Sequence, residues 1–282
     1  MELASWDLLK ERAGVPAPRV FPARNRLFGA KAAEFKFWHD AAGWCPSCAA
    51  VFMVLEEMKV PYVCATGPLS GYMKPGEQKP ADFLKIRPNG VFPVLQYPRP
   101  GQVAQFDGEV VVHAFRILEF LKARYPDQAC LPKTPVRRAC ADALGKLAEQ
   151  LCYSTEGRQS RGEHIMDDVD AALGGGAIGN WGNEAERPWT KALENLRLQD
   201  DADGDETQFG GPLTSGPFLF GKKPCAVDLT FLPWLSQHQA RLPDGAFEAR
   251  WPAAGKMLAA AREPGICSCY DICYDKATLR GI

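Results

Sequence analysis

Two cysteines stand three positions apart in the stretch Trp44-Cys45-Pro46-Ser47-Cys48. Such a pair can exchange thiols with disulfides, supply half of a soft-metal site, or fill a core as two small apolar side chains. No second CxxC or CxxH follows at zinc-ligand spacing, so zinc is disfavoured and no metal is assigned. Local structure weighs between the other two readings. The preceding EFKFWHD (34–40) alternates as a strand does, and CAAVFMVLEEMK (48–59) repeats apolar residues at helical spacing. The pair therefore falls at a strand-to-helix junction, with Pro46 in the first helical turn, where its missing N–H costs nothing. Unpaired N–H groups and the macrodipole at a helix start favour a thiolate, which makes Cys45 the candidate nucleophile. Cys48, one turn on, is placed to resolve a mixed disulfide. Redox chemistry or thiol transfer is the favoured reading.

Val91-Phe92-Pro93 is the second piece. A proline leading the strand expected over 92–96 is explained by a cis bond in a tight turn, since it cannot donate to a ladder; an edge-strand proline is the alternative. The cis reading leaves the N–H and C=O of Phe92 to pair with an extended peptide. In Phe218 to Asp228 a turn feeds a buried helix, with Asp228 at N3 accepting the N-cap N–H, a structural role. The run Cys267-Ser268-Cys269-Tyr270-Asp271-Ile272-Cys273 reads as a docked tail carrying thiols rather than a soft-metal site. His39, His164 and His238 read as structural or exposed.

The elements that must position these residues follow in order. Pro61 to Ala65 reads as a strand, Pro80 to Ile86 as a short helix, Pro88-Asn89-Gly90 as a turn, and Asp107-Gly108 as a hairpin signal before Val110-Val111-Val112. Ala114 to Tyr125 closes the unit as an amphipathic helix. The order β-α-β-α-β-β-α is a thioredoxin-like plan. Beyond Pro135 the strands stop, and 136–154, 186–198, 226–242 and 247–263 all read as helices. The expected fold class is α/β plus all-α: an extension over 1–32, a thioredoxin-like domain over 33–127, an all-helical domain with long loops over 135–265, and a tail over 266–282.

The 282 residues carry 33 basic and 34 acidic side chains, a formal net charge of −1, so nothing draws the chain to nucleic acid or anionic lipid. With 46% hydrophobic residues it can build a real core. No apolar run is long enough to span a membrane, and the first thirty residues lack a secretory apolar core. Ten scattered cysteines fit a reducing compartment.

From about Phe35 to Gly265 the chain resembles a cytosolic glutathione transferase, on its CPSC helix start, the PNGVFPVL strand, the helix ILEFLKARYP and the segment FLFGKKPCAVDLTFLPWL. Within that superfamily HDAAGWCPSCAAVFMVLEEMKVPY is most similar to the iota class of photosynthetic organisms, with its CPYC-type motif; the omega and dehydroascorbate-reductase classes come next. The resemblance implies glutathione as co-substrate, Cys45 as the residue that forms a mixed disulfide with it, and Phe92 with Pro93 as holders of its cysteinyl backbone. It implies deglutathionylation, thiol transfer or dehydroascorbate reduction, with Cys48 either resolving or dispensable. One departure bears on this. The family places an acidic residue followed by Ser where the γ-glutamyl group binds, and here the positions read His113-Ala114. Losing that charge-assisted bond costs roughly 1.5–3 kcal/mol. The alternative expectation is a non-catalytic, transferase-like structural or binding subunit, its terminal extensions and long loops offering contact surface to partner proteins in a larger assembly.

Overall fold

The computed structural model describes residues 26–41, 43, 45–70, 73, 76–103, 105–127, 166–167, 170, 216–219, 221–240, 242–263 and 266–267. These fall into two compact units, one with the described residues from 26 to 127, the other with those from 166 to 267. The extension up to residue 25, the helices expected over 136–154 and 186–198, and the tail beyond Cys267 lie outside the described residues.

The first unit runs β1 (Phe35–Asp40), α1 (Pro46–Glu57), β2 (Tyr62–Gly67), α2 (Ala81–Ile86), β3 (Val94–Gln96), β4 (Val110–Val112) and α3 (Ala114–Arg124). Its sheet has the order β2-β1-β3-β4. β1 and β2 are parallel, with Phe35 opposite Tyr62, and α1 supplies the crossover that a parallel pair requires. β3 returns antiparallel to β1, with Val94 opposite Trp38, and β4 pairs antiparallel with β3. This is the expected thioredoxin-like plan. Phe35, Phe37, Met53, Leu55, Tyr62, Phe83, Leu95 and Leu121 are almost wholly buried and form the core around the sheet.

Every residue of α1 from Ser47 to Glu56 is buried, because the helix lies inside the fold rather than on its rim. It ends in a Schellman motif: Val60 N–H bonds to Leu55 C=O and Lys59 N–H to Glu56 C=O, with Lys59 at φ 52 in the position glycine usually takes. The Glu56 carboxylate, buried at that end, accepts from the Arg26 guanidinium and, at 2.5 Å, from the Tyr62 hydroxyl. Arg26 and Tyr62 also exchange backbone hydrogen bonds of 2.8 and 3.0 Å. A buried carboxylate tied this way holds the incoming chain and β2 to α1.

Two boundaries differ from expectation. The strand expected over 92–96 starts at Val94, since Pro93 has no N–H to give the ladder. In the second unit the helix expected over 247–263 is two, α5 (Ala246–Arg250) and α6 (Pro252–Ala261). Trp251 between them, at φ −129 and ψ 76, precedes a proline and is pushed out of the helical region. Asp170 then accepts from Ala254 N–H in the first turn of α6, and Trp251 Nε1 donates to Asp167, both at 2.7 Å.

α4 (Ala226–Ala240) is buried along most of its length. Asp228 sits at its third position with one carboxylate oxygen accepting from Cys225 N–H (2.7 Å) and the other from Leu219 N–H (2.9 Å). The capping role read from the sequence is thus extended: the same side chain also pins the preceding turn. Burial pushes its carboxyl up to about 6 against the pull of those two N–H groups.

Candidate active site

Cys45 is the N-cap of α1, with φ −78 and ψ 110, and Pro46 follows at N1. Its sulfur accepts from Cys48 N–H at 3.4 Å, one of the donors that the first helical turn leaves without an intrahelical partner. Cys45 is half-buried and reaches the surface, whereas Cys48 is buried. Burial first, then the Cys45 sulfur and the Asp40 charge, hold the Cys48 thiol well above its ordinary range. The two sulfurs are therefore unlike: the outer one is open to the surface, and the inner one is held as a thiol. Ala42 and Trp44, beside the motif, lie outside the described residues.

Phe92 and Pro93 form the facing loop, and their peptide bond is cis, as the sequence led one to expect. Phe92 is buried and stacks on Phe83 with ring centroids 4.5 Å apart. A Cβ on Gly67, at the end of β2, would come within 3.1 Å of the Phe92 ring and 2.9 Å of Pro80, so only glycine lets this loop close over the strand. On the far side, a Cβ on Gly108 would meet Tyr97 C=O at 2.4 Å, which explains why the hairpin before β4 needs glycine there.

Sequence reasoning passed over Lys79. Its ammonium donates to Pro68 C=O at 2.7 Å and lies 4.3 Å from the centroid of the Phe92 ring. Burial lowers its pKa, while the charges of Cys48, Asp40 and Cys45 push the other way. Lys79 therefore links the Phe92-Pro93 loop electrostatically to the cysteine pair. Asp40, at the end of β1, was also passed over: it is fully buried and its Oδ2 accepts from Cys45 N–H at 3.3 Å.

His113 and Ala114 mark the start of α3, His113 as N-cap at φ 71 and ψ 134, a strained conformation for a residue with a Cβ. Arg87 Nη2 lies 3.3 Å from His113 Nε2. A guanidinium only donates, so Nε2 accepts and the imidazole proton sits on Nδ1. The positive charge at this corner is therefore that of Arg87. His39 is buried and stacked on Phe37, and His238 is buried 4.0 Å from Trp234, ring centroid to centroid, both structural as expected; His164 lies outside the described residues.

With this geometry in place, a family model for the glutathione S-transferase N-terminal domain matches residues 44–124, from the cysteine motif to the end of α3. That stretch of the chain belongs to the glutathione S-transferase N-terminal domain family. Glutathione S-transferase DHAR2 of Arabidopsis thaliana is 26% identical over 199 residues, 70% of this chain and 68% of its own. Glutathione transferase Omega 2C from Trametes versicolor has the same fold: the superposition covers 88% of this chain and 96% of that one at TM-score 0.53 and 16% identity. The trimeric glutathione transferase TDR1 of Leishmania aligns with 82% of this chain at TM-score 0.47 and 18% identity, and the chain spans 44% of it. The superfamily's N-terminal domain thus coincides with the unit that carries Cys45, Phe92 and His113.

Proposed function

We propose that this protein is a glutathione-dependent thiol transferase or reductase, of the deglutathionylation or dehydroascorbate-reductase type, acting through Cys45. The observation that carries the reading is the position of Cys45: a surface-reaching sulfur at a helix N-cap, bonded by a backbone N–H, with the Lys79 cation at the same site. The Cys45 thiolate attacks the glutathione sulfur of a mixed disulfide, the substrate leaves as a thiol, and Cys45 carries the glutathionyl group. A second glutathione, or Cys48, then displaces it, releasing glutathione disulfide or glutathione. Phe92 and Pro93 serve as the backbone rest for the glutathione cysteinyl unit, and Lys79 offers a cation to its carboxylates. Such a site works in a reducing compartment, the cytoplasm or a plastid, and the cysteine motif favours the iota class.

A second reading has its own observation. Arg87 beside His113 puts a fixed positive charge where the family binds the γ-glutamyl ammonium, which opposes glutathione there. On that reading the protein is a transferase-like structural or binding subunit whose partners are other proteins. Calorimetric titration of reduced protein with glutathione separates the two. Micromolar to low-millimolar binding, with turnover abolished in Cys45→Ser, supports the enzyme; no binding, with stable co-purification of partner proteins, supports the subunit.

A further inference from the structure

The cysteine spacing offers a metal two ligands, and the fold brings a third that the sequence hides. By spacing alone zinc is disfavoured, because no second pair of ligands follows; the missing ligand comes instead from the end of β1. There Asp40 is 0% exposed. One of its carboxylate oxygens, the Cys45 sulfur and the Cys48 sulfur all lie within 4.8 Å of one another, and among the described residues they are the one such trio of metal-ligating side chains. Tetrahedral zinc, with sulfur at about 2.3 Å and oxygen at about 2.0 Å, sets its ligands roughly 3.5–3.8 Å apart, so side-chain rotations that close about 1 Å complete the set. Backbone donors already orient two of the three: Cys45 N–H bonds to Asp40 Oδ2 at 3.3 Å, and Cys48 N–H to the Cys45 sulfur at 3.4 Å.

We propose that Asp40, Cys45 and Cys48 form a zinc site in the reduced protein, with the fourth position open toward the surface. The inference stands on the placement of these three side chains and holds whether or not glutathione binds. Charge fits it. Two thiolates and a carboxylate exceed a divalent cation by one negative charge, and the Lys79 ammonium, on which the charges of all three groups act, supplies one positive charge. Two sulfur donors select zinc over magnesium or calcium, which take oxygen. Asp40 and Cys48 are buried on the inner side, whereas half-buried Cys45 gives the ion its way in. Binding forms two zinc–sulfur bonds and one zinc–oxygen bond, each bound thiol gives its proton to solvent, and no electrons move. Water or a small thiol takes the fourth place. Coordination and the Cys45–Cys48 disulfide exclude each other, since both use the same sulfurs. Zinc-loaded protein is therefore closed to disulfide substrates until the ion leaves.

The test uses the metals alone. Full-length protein is reduced with a phosphine, so that no added thiol competes, stripped by a chelator and titrated with Co²⁺ under nitrogen, then with Zn²⁺. One equivalent of Co²⁺ should give the visible bands of tetrahedral cobalt and a near-ultraviolet sulfur-to-metal band, both removed by Zn²⁺. Zinc should protect Cys45 and Cys48 from alkylation, mapped by mass spectrometry, and leave the labelling of Cys64 unchanged. In Asp40→Asn, which keeps an oxygen for the Cys45 N–H, zinc affinity read by competition with a colorimetric chelator should fall on the order of 100-fold while the sulfur-to-cobalt band remains. X-ray absorption of the zinc-loaded wild type should count two sulfurs beside lighter ligands, a result that needs no variant to fold. Cys45 and Cys48 left unprotected, wild-type zinc affinity in Asp40→Asn, or three or more sulfurs on the zinc would each overturn the proposal. Protection by zinc in a protein that takes up no glutathione upholds the metal site and removes only the thiol-transfer reading.

Discussion

If Arg87 and His113 together set the charge at the α3 corner, restoring glutathione affinity takes two substitutions. A glutamate at position 113 would offer the γ-glutamyl ammonium a charge-assisted bond worth roughly 1.5–3 kcal/mol, on the order of 10- to 100-fold in affinity. Arg87 Nη2, however, is already 3.3 Å from the side chain at 113 and would take the new carboxylate for itself. The strain of a non-glycine residue at φ 71, about 1–3 kcal/mol, is common to His and Glu and drops out of the comparison. His113→Glu alone is therefore expected to tighten glutathione binding by less than about threefold, and His113→Glu with Arg87→Asn by about 10- to 100-fold. Calorimetry on the reduced wild type, both single variants and the double variant gives the coupling directly. Because Arg87 is only half-buried, raising the salt should narrow the gap. A single His113→Glu that already gains tenfold, or a double variant no tighter than the wild type, would refute the reasoning.

Two further outcomes follow from the packing. The Asp228 carboxyl titrates at about 6 in the folded chain against 3.8 in the unfolded one, so the folded state holds that proton more tightly. Its contribution to stability is complete below pH 3.8 and is lost as pH rises through about 6, a swing of about 3 kcal/mol from this one group. Asp228→Asn should flatten that dependence and loosen one of the two amides it holds, read locally as faster hydrogen exchange at Leu219 and Cys225. Alkylation of the native reduced protein should label Cys45 before Cys48, Cys64 and Cys225. Burial, with the Glu56 charge, pushes the Cys64 thiol up to about 12, and burial holds the Cys225 thiol well above its ordinary range. Labelling of Cys225 ahead of Cys45 would contradict the placement of the site.

Much of the first unit was legible because its signals are local. Alternation in EFKFWHD, the proline after Cys45 and the Asp-Gly before Val110 each announce an element within a few residues. The capping role of Asp228 was legible for the same reason, its partner Cys225 being three residues away. What escaped were contacts made across the fold. Arg87 meets His113 over 26 positions, and Lys79 meets the cysteine pair from the loop before α2. Asp40 reads in sequence as a polar residue ending a strand, and only the sheet and α1 closing over it make it a buried carboxylate. The break at Trp251-Pro252 was local and still missed, because the apolar spacing of FEARWPAAGKMLAAARE continues across it while the backbone does not.

The central claim is that Cys45 is the sulfur that takes up glutathione. Reduced protein exposed to glutathione disulfide and mapped by mass spectrometry at early times should carry the glutathione adduct on Cys45, with the Cys45–Cys48 disulfide appearing after it and no adduct at position 45 in Cys45→Ser. First adduct on another cysteine, or none at all on folded protein, would contradict the account and return the search to partner proteins.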